Sequence, residues 1–182
     1  IDNMSEVAEM NPQDLVGAFE VIQMQTEYQE RRLSRAHTLG LPEPSDYEPW
    51  LEVTKERIRG KLSSRVRRIL GHAKESAAER NMSAAGALLA GATEVLSTIS
   101  IFKMEVVPCV PPHYNILQMF LEAFEELWAP DIKKLCNGDN MLALGPSELL
   151  QLVDWFEFFD VQMHTYGILP DGEEGSQEQE QG

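Results

Sequence analysis

Cysteine is scarce in this chain. Cys109 and Cys136 are the two present in 182 residues, too few for the bridge framework that holds small extracellular domains together, and a reducing compartment is the simplest reading. Missing near Ile1 is the charged, apolar and small-residue succession of a secretory leader, and no uninterrupted apolar run approaches the roughly 20 residues needed to cross a bilayer. The chain opens at Ile1 and reads as an excised piece. Positive charge is also in short supply. Fifteen Lys and Arg stand against 30 Asp and Glu, and the net charge of −15 repels phosphate backbones and anionic surfaces, so nucleic acid is not an expected partner. There is no Walker loop, dinucleotide fingerprint, nucleophile elbow or HExxH. The sequence therefore offers no basis for an enzyme, a cofactor or a small-molecule substrate.

What is present is the pattern of an all-α fold. Hydrophobic residues make up 43% and charged residues 25%, an ordinary balance for a chain that folds and, at this size, hides roughly 70% of its unfolded surface. Five helical segments are expected and almost no strand. Pro12 suits a first helical turn after Asn11, and Leu15, Phe19, Ile22 and Thr26 share one face of a helix reaching about Leu39. Gly40, Pro42, Pro44 and Pro49 end it. A second helix, from about Pro49 to Lys74, carries Leu51, Ile58, Leu62, Val66 and Ile69 on a narrow stripe; its length of about 39 Å implies an elongated bundle. A third begins at Asn81 or Ser83 and buries Leu88, Ala92, Val95, Ile99 and Phe102, with AAGALLAGA allowing a neighbouring helix to come close.

The stretch VVPCVPPHYNI follows. Pro108, Pro111 and Pro112 fall within five residues, and each fixes its own φ and biases the preceding residue towards an extended conformation, so the third helix stops. Residues 106–114 are read as a stiff elbow, with Pro108, Cys109, Pro111, Pro112 and Tyr114 as structural residues. The elbow delivers the chain to a fourth helix whose face holds Ile116, Phe120, Leu121, Phe124, Leu127 and Trp128. Pro130 is expected to kink or end that helix, and Asn137 to Asn140 to form a turn. A fifth helix starts near Pro146 and carries Leu149, Leu150, Val153, Phe156 and Met163, widened by Trp155 and Phe159. Trp128, Trp155 and Phe159 are read as core or as a seam against another bundle. Residues 1–169 thus form one helical section, and 170–182, with no apolar residue from Asp171 on, a disordered acidic tail or linker.

Three clusters invite chemistry. Cys109, His113 and Cys136 lack the paired spacing of a zinc site, and Cys109 reads as a small buried apolar residue. Asp160 and His164, four apart, read as a surface pair, and the carboxylates Glu122, Glu125, Glu126, Asp154, Glu157 and Asp160 as solvated faces. The second helix is more distinctive. Eight of the 15 Lys and Arg lie between Lys55 and Lys74, and Arg57, Lys61, Arg65 and Arg68 recur along one flank of the apolar stripe. Such a strip either contacts anionic lipid or an acidic partner, or pairs with the chain's own surplus of carboxylates, for which Glu20, Glu27 and Glu30 on the neighbouring helix are candidates; internal pairing is the simpler expectation.

VVPCVPPHYNI resembles the connector of the Sec-six family, component three of the exocyst vesicle-tethering complex, where Val-x-Pro-Cys, an aromatic residue and Pro-Pro-x-Tyr-x-Ile recur. Val110 stands where the family has the aromatic residue. LLQLVDWFEFFDVQMHTYGI is similar to a family helix at Trp155, Phe159, Met163 and Gly167, with Phe159 in the place of a Tyr, and NPQDLVGAFEVIQMQ extends the similarity over about Asn11 to Ile168. The resemblance implies an elongated antiparallel bundle, a middle section of a helical rod of the multisubunit-tether (CATCHR-like) type. It also implies a scaffold role in tethering secretory vesicles to the plasma membrane before SNARE-mediated fusion. The partners it implies are other exocyst subunits and, at cytoplasmic sites of exocytosis, SNARE proteins and anionic phospholipid. A stand-alone helical adaptor that binds anionic lipid or an acidic partner through the basic strip is the alternative.

Overall fold

A short helix precedes Asn11, ahead of the first helix that the sequence pattern shows. In the computed structural model, which describes residues 4–165, α1 spans Met4–Met10 and α2 Pro12–Thr38. The Asn11 amide donates to the Val7 carbonyl at 2.7 Å and closes α1, its side chain donates to Asp14 at 2.7 Å, and Pro12 supplies the fixed φ that opens α2. Met4 and Ala8 of α1 are buried. Gly40 ends α2 with φ +63°, the left-handed turn that glycine adopts without strain, and Leu41 N–H returns to the Ala36 carbonyl at 2.9 Å.

The remaining helices are α3 (Trp50–Glu79), α4 (Ala84–Glu105), α5 (Ile116–Leu135), α6 (Gly138–Leu142) and α7 (Pro146–Thr165), and no strand occurs among the described residues. The fold is an all-α helical bundle. Ser83 caps α4 by accepting from the Gly86 amide at 3.1 Å. The chain divides into two compact units, the first ending at Asn137 and the second beginning at Gly138.

In the first unit α3 and α4 lie against each other and α5 packs on both. Leu62 and Val66 of α3, Val95, Ile99 and Phe102 of α4 and Phe120 of α5 are almost fully shielded. Phe102 meets Phe120 edge to face at 5.1 Å, a geometry that aligns ring edge with ring face. The close approach expected from AAGALLAGA occurs at Gly91, where an added Cβ would lie 3.0 Å from the Ala73 Cβ and 3.2 Å from a Leu70 methyl. All five positions of the expected α4 stripe are buried. By length and composition, Ala84–Cys109 is apolar enough to cross a membrane. Counting only unbroken apolar runs missed this, because Thr, Ser and single charges interrupt the segment; its apolar side is occupied by the bundle core.

Two expectations are narrowed or corrected here. Of the two outcomes expected at Pro130, a kink or an end, the end does not occur, and α5 runs on to Leu135. The proline removes one amide donor, but Trp128 and Ile132 on either side are buried, and Lys74 binds Asp131 at 2.7 Å. The turn expected over Asn137 to Asn140 is replaced from Gly138 by α6, with Asp139 in its first turn, where the helix dipole favours a carboxylate.

In the second unit the buried residues of α7 are Leu152, Trp155 and Met163, whereas Leu150, Val153 and Phe156 are exposed. The buried face is therefore rotated from the expected one. Trp155 stacks on Phe159 at 5.2 Å and meets Phe156 edge-on at 5.7 Å. Gly167, Ile168 and the acidic segment 170–182 lie outside the described residues.

Candidate functional site

Two features assembled by the first unit have the character of a site: the proline corner and the basic strip. The corner follows from conflicting local preferences. Pro108, Pro111 and Pro112 forbid a continuous helix, but each suits the first positions of a short one. The chain accordingly makes two 3-10 turns, Val107–Cys109 and Pro112–Tyr114, separated by extended Val110. Asn115, with φ 51°, then reverses the backbone before α5, a left-handed conformation that asparagine tolerates better than most residues.

The corner is packed from within. Val106, Cys109, Val110 and Tyr114 are buried, Tyr114 to 1% exposure. The Cys109 thiol donates to the Glu105 carbonyl at 3.4 Å, filling the role of a small apolar residue with a weak donor. The Tyr114 ring meets Phe19 of α2 edge to face at 4.9 Å and tilts against His113 at 4.7 Å. Among the described residues its hydroxyl has no hydrogen-bond partner, and burial raises its pKa above the ordinary tyrosine value. Phe19 is recognisable in the sequence as core, but its contact with Tyr114, 95 residues away, has no local signal.

The strip lies on α3. Arg57, Lys61 and Arg68 are exposed and Arg65 is half-buried. Internal pairing with α2 is not what the structure shows. Glu27 is held by Arg31 of its own helix at 3.3 Å, and the ion pairs of α3 lie elsewhere, Arg59 to Glu56 at 3.2 Å and Lys74 to Asp131 at 2.7 Å. Among the described residues no carboxylate pairs with Arg57, Lys61 or Arg65. Glu20, Glu27 and Glu30 lie on exposed positions of α2 and do not reach across.

The other candidates stay apart. Cys109 is buried in the corner while Cys136 is exposed at the end of α5, and no group of three His, Cys, Asp or Glu comes together among the described residues. His164 accepts or donates at 2.8 Å with the Asp160 carbonyl, and its ring nitrogen lies 3.6 Å from the Asp160 carboxylate. Glu122, Glu125, Glu126, Asp154, Glu157 and Asp160 are exposed. Trp128 is buried and stacks on Phe124 at 5.4 Å; Trp155 is buried and Phe159 half-buried. Along the end of α2 an open hollow of about 760 Å³ is lined by Tyr28, Arg31, Arg32, Arg35 and Leu39, with the Arg32 guanidinium 5.6 Å over the Tyr28 ring.

Compared with known proteins, the chain matches no family model, no curated sequence and no solved structure.

Proposed function

We propose that the chain is a non-catalytic scaffold, a section of an exocyst tethering subunit of the Sec-six type. In this reading it is part of a helical rod of the multisubunit-tether kind, acting on the cytoplasmic side at sites of exocytosis. It helps to hold secretory vesicles near the plasma membrane before SNARE-mediated fusion, with other exocyst subunits as its partners.

The observation that carries this reading is the interior of the corner. Of the residues that give VVPCVPPHYNI its resemblance, Val106, Cys109, Tyr114 and Ile116 face inward, whereas Pro108 and Pro112 lie on the surface and shape the backbone around them. Their positions serve the angle between α4 and α5 and the docking of α2 through Phe19. A motif spent on joint geometry suits a protein whose work is to present surfaces at fixed orientations.

The decisive experiment is affinity isolation of the tagged protein from its own cells, followed by crosslinking of the assembled complex. Recovery of other exocyst subunits, with crosslinks reaching α3 or α7, is the expected result. Recovery of a free protein carrying none of them would end the reading.

A further inference from the structure

Between Arg57 and Lys74, α3 carries seven Lys and Arg and not one Asp or Glu. The rest of the chain has 30 carboxylates against eight cations. Charge is therefore segregated onto one helix. Arg57, Lys61, Arg65 and Arg68 follow one another at intervals of four, four and three, a line about 16 Å long at 1.5 Å per residue. Arg57, Lys61 and Arg65 have no carboxylate partner among the described residues.

A second observation lies beside this line. Gly60, Ser64 and Gly71 fall within an arc of about 40° at 100° per residue, adjoining the four cations, and Arg67 borders the other edge. A Cβ placed on Gly60 or Gly71 meets nothing within 4 Å, and Ser64 is folded back, its hydroxyl donating to the Gly60 carbonyl at 2.8 Å. Glycine weakens a helix interior. At Gly91 that cost has a visible purpose, because Leu70 and Ala73 occupy the space a side chain would take. At Gly60 and Gly71 nothing among the described residues comes within 4 Å of that space.

We propose that this face of α3 is a docking seam for an acidic helix of another protein. Small residues let a second helix axis come close, and the flanking cations meet Asp or Glu recurring every third or fourth position along it. A bilayer fits the same face poorly. Helices that bind membranes insert large apolar side chains beside their basic ones, and α3 exposes none. A flat anionic sheet also approaches the carboxylate-rich remainder of the chain, whereas a single helix touches the seam alone. The seam belongs to α3, so the proposal holds or falls independently of the tether reading.

The test uses the 182-residue chain and two synthetic helical peptides of one composition. One has its glutamates on a single face; the other has them spread around the helix. Fluorescence anisotropy at moderate salt is expected to give about tenfold tighter binding for the one-faced peptide. Reversal of Arg57, Lys61 and Arg65 to Glu removes that preference, while reversal of Arg31, Arg35 and Arg80, an equal change in net charge, leaves it. Gly60→Leu with Gly71→Leu weakens binding by about tenfold and, because those side chains enter open space, leaves the circular dichroism spectrum and melting temperature no lower than in the parent. Equal binding of the two peptides, or undiminished binding by the leucine variant, overturns the proposal. So does flotation with phosphatidylserine vesicles that the Arg57, Lys61 and Arg65 reversal abolishes, which would assign the seam to lipid.

Discussion

The chain turns two corners on three prolines each, and the two are built differently. Between α2 and α3, Pro42, Pro44 and Pro49 sit in a largely exposed segment, Leu41 is 56% exposed, and the tie to the fold is a two-pronged ion pair from Arg32 to Asp46 at 2.8 and 2.9 Å. Between α4 and α5, Pro108, Pro111 and Pro112 frame side chains that are themselves core. Proline stiffens both backbones by the same mechanism, loss of unfolded-state freedom. Only the second corner adds packing, so only there does the angle between helices become part of the cooperative structure.

The largest effect separates them directly. Tyr114→Ala should cost about 3 to 5 kcal/mol, the range for deleting a buried aromatic, whereas Leu41→Ala in the exposed corner should stay within about 0.5 kcal/mol; urea titration followed by circular dichroism reads both. Packing at the two corners would be equivalent if the costs matched. Proline removal sharpens the contrast by its sameness. Pro111→Ala and Pro112→Ala, like Pro42→Ala and Pro44→Ala, should each cost about 0.4 to 1 kcal/mol with helix content nearly unchanged, and only the first pair should alter the angle between α4 and α5 in small-angle scattering.

A smaller effect comes from the unpartnered hydroxyl. Tyr114→Phe should stabilise the protein by up to about 1 kcal/mol, because a buried donor without an acceptor is removed. Burial favours the neutral phenol, so the folded pKa lies above the unfolded one. The parent should therefore lose stability relative to Tyr114→Phe as pH rises from the ordinary tyrosine value, near 10, through the higher folded value. Parallel stability curves for the two proteins in alkali would contradict this. The smallest effect belongs to the exposed corner. The hydrogen bond from Arg32 lowers the Asp46 pKa, so whatever the pair contributes is present above the ordinary carboxylate value and lost as pH falls through the folded one. Asp46→Asn should differ slightly from the parent at neutral pH and low salt, and the difference should vanish in acid and in high salt.

Periodicity made most of the bundle legible. Leu88, Ala92, Val95, Ile99 and Phe102 announce α4 because a helix with one fully buried face leaves a strong repeat, and Gly40 and the corner prolines mark stops that local sterics alone enforce. Where tertiary contacts decide, the pattern misled. At Pro130 the burial of Trp128 and Ile132 outweighs the missing amide donor. On α7 Leu150, Val153 and Phe156 are as apolar as Leu152 and Trp155, so composition could not say which set faces inward. The four cations of the strip were plain in the sequence, but the lack of a carboxylate partner at Arg57, Lys61 and Arg65 among the described residues was not, because it depends on tertiary placement rather than on local pattern.

The two thiols now acquire an experimental meaning. Cys136 is open to solvent, and Cys109 is enclosed between Val106 and Val110. An alkylating reagent should modify the former immediately and reach the latter only when the joint between α4 and α5 breathes, so that the slow phase of a pulsed-labelling time course clocks its opening without any probe being introduced.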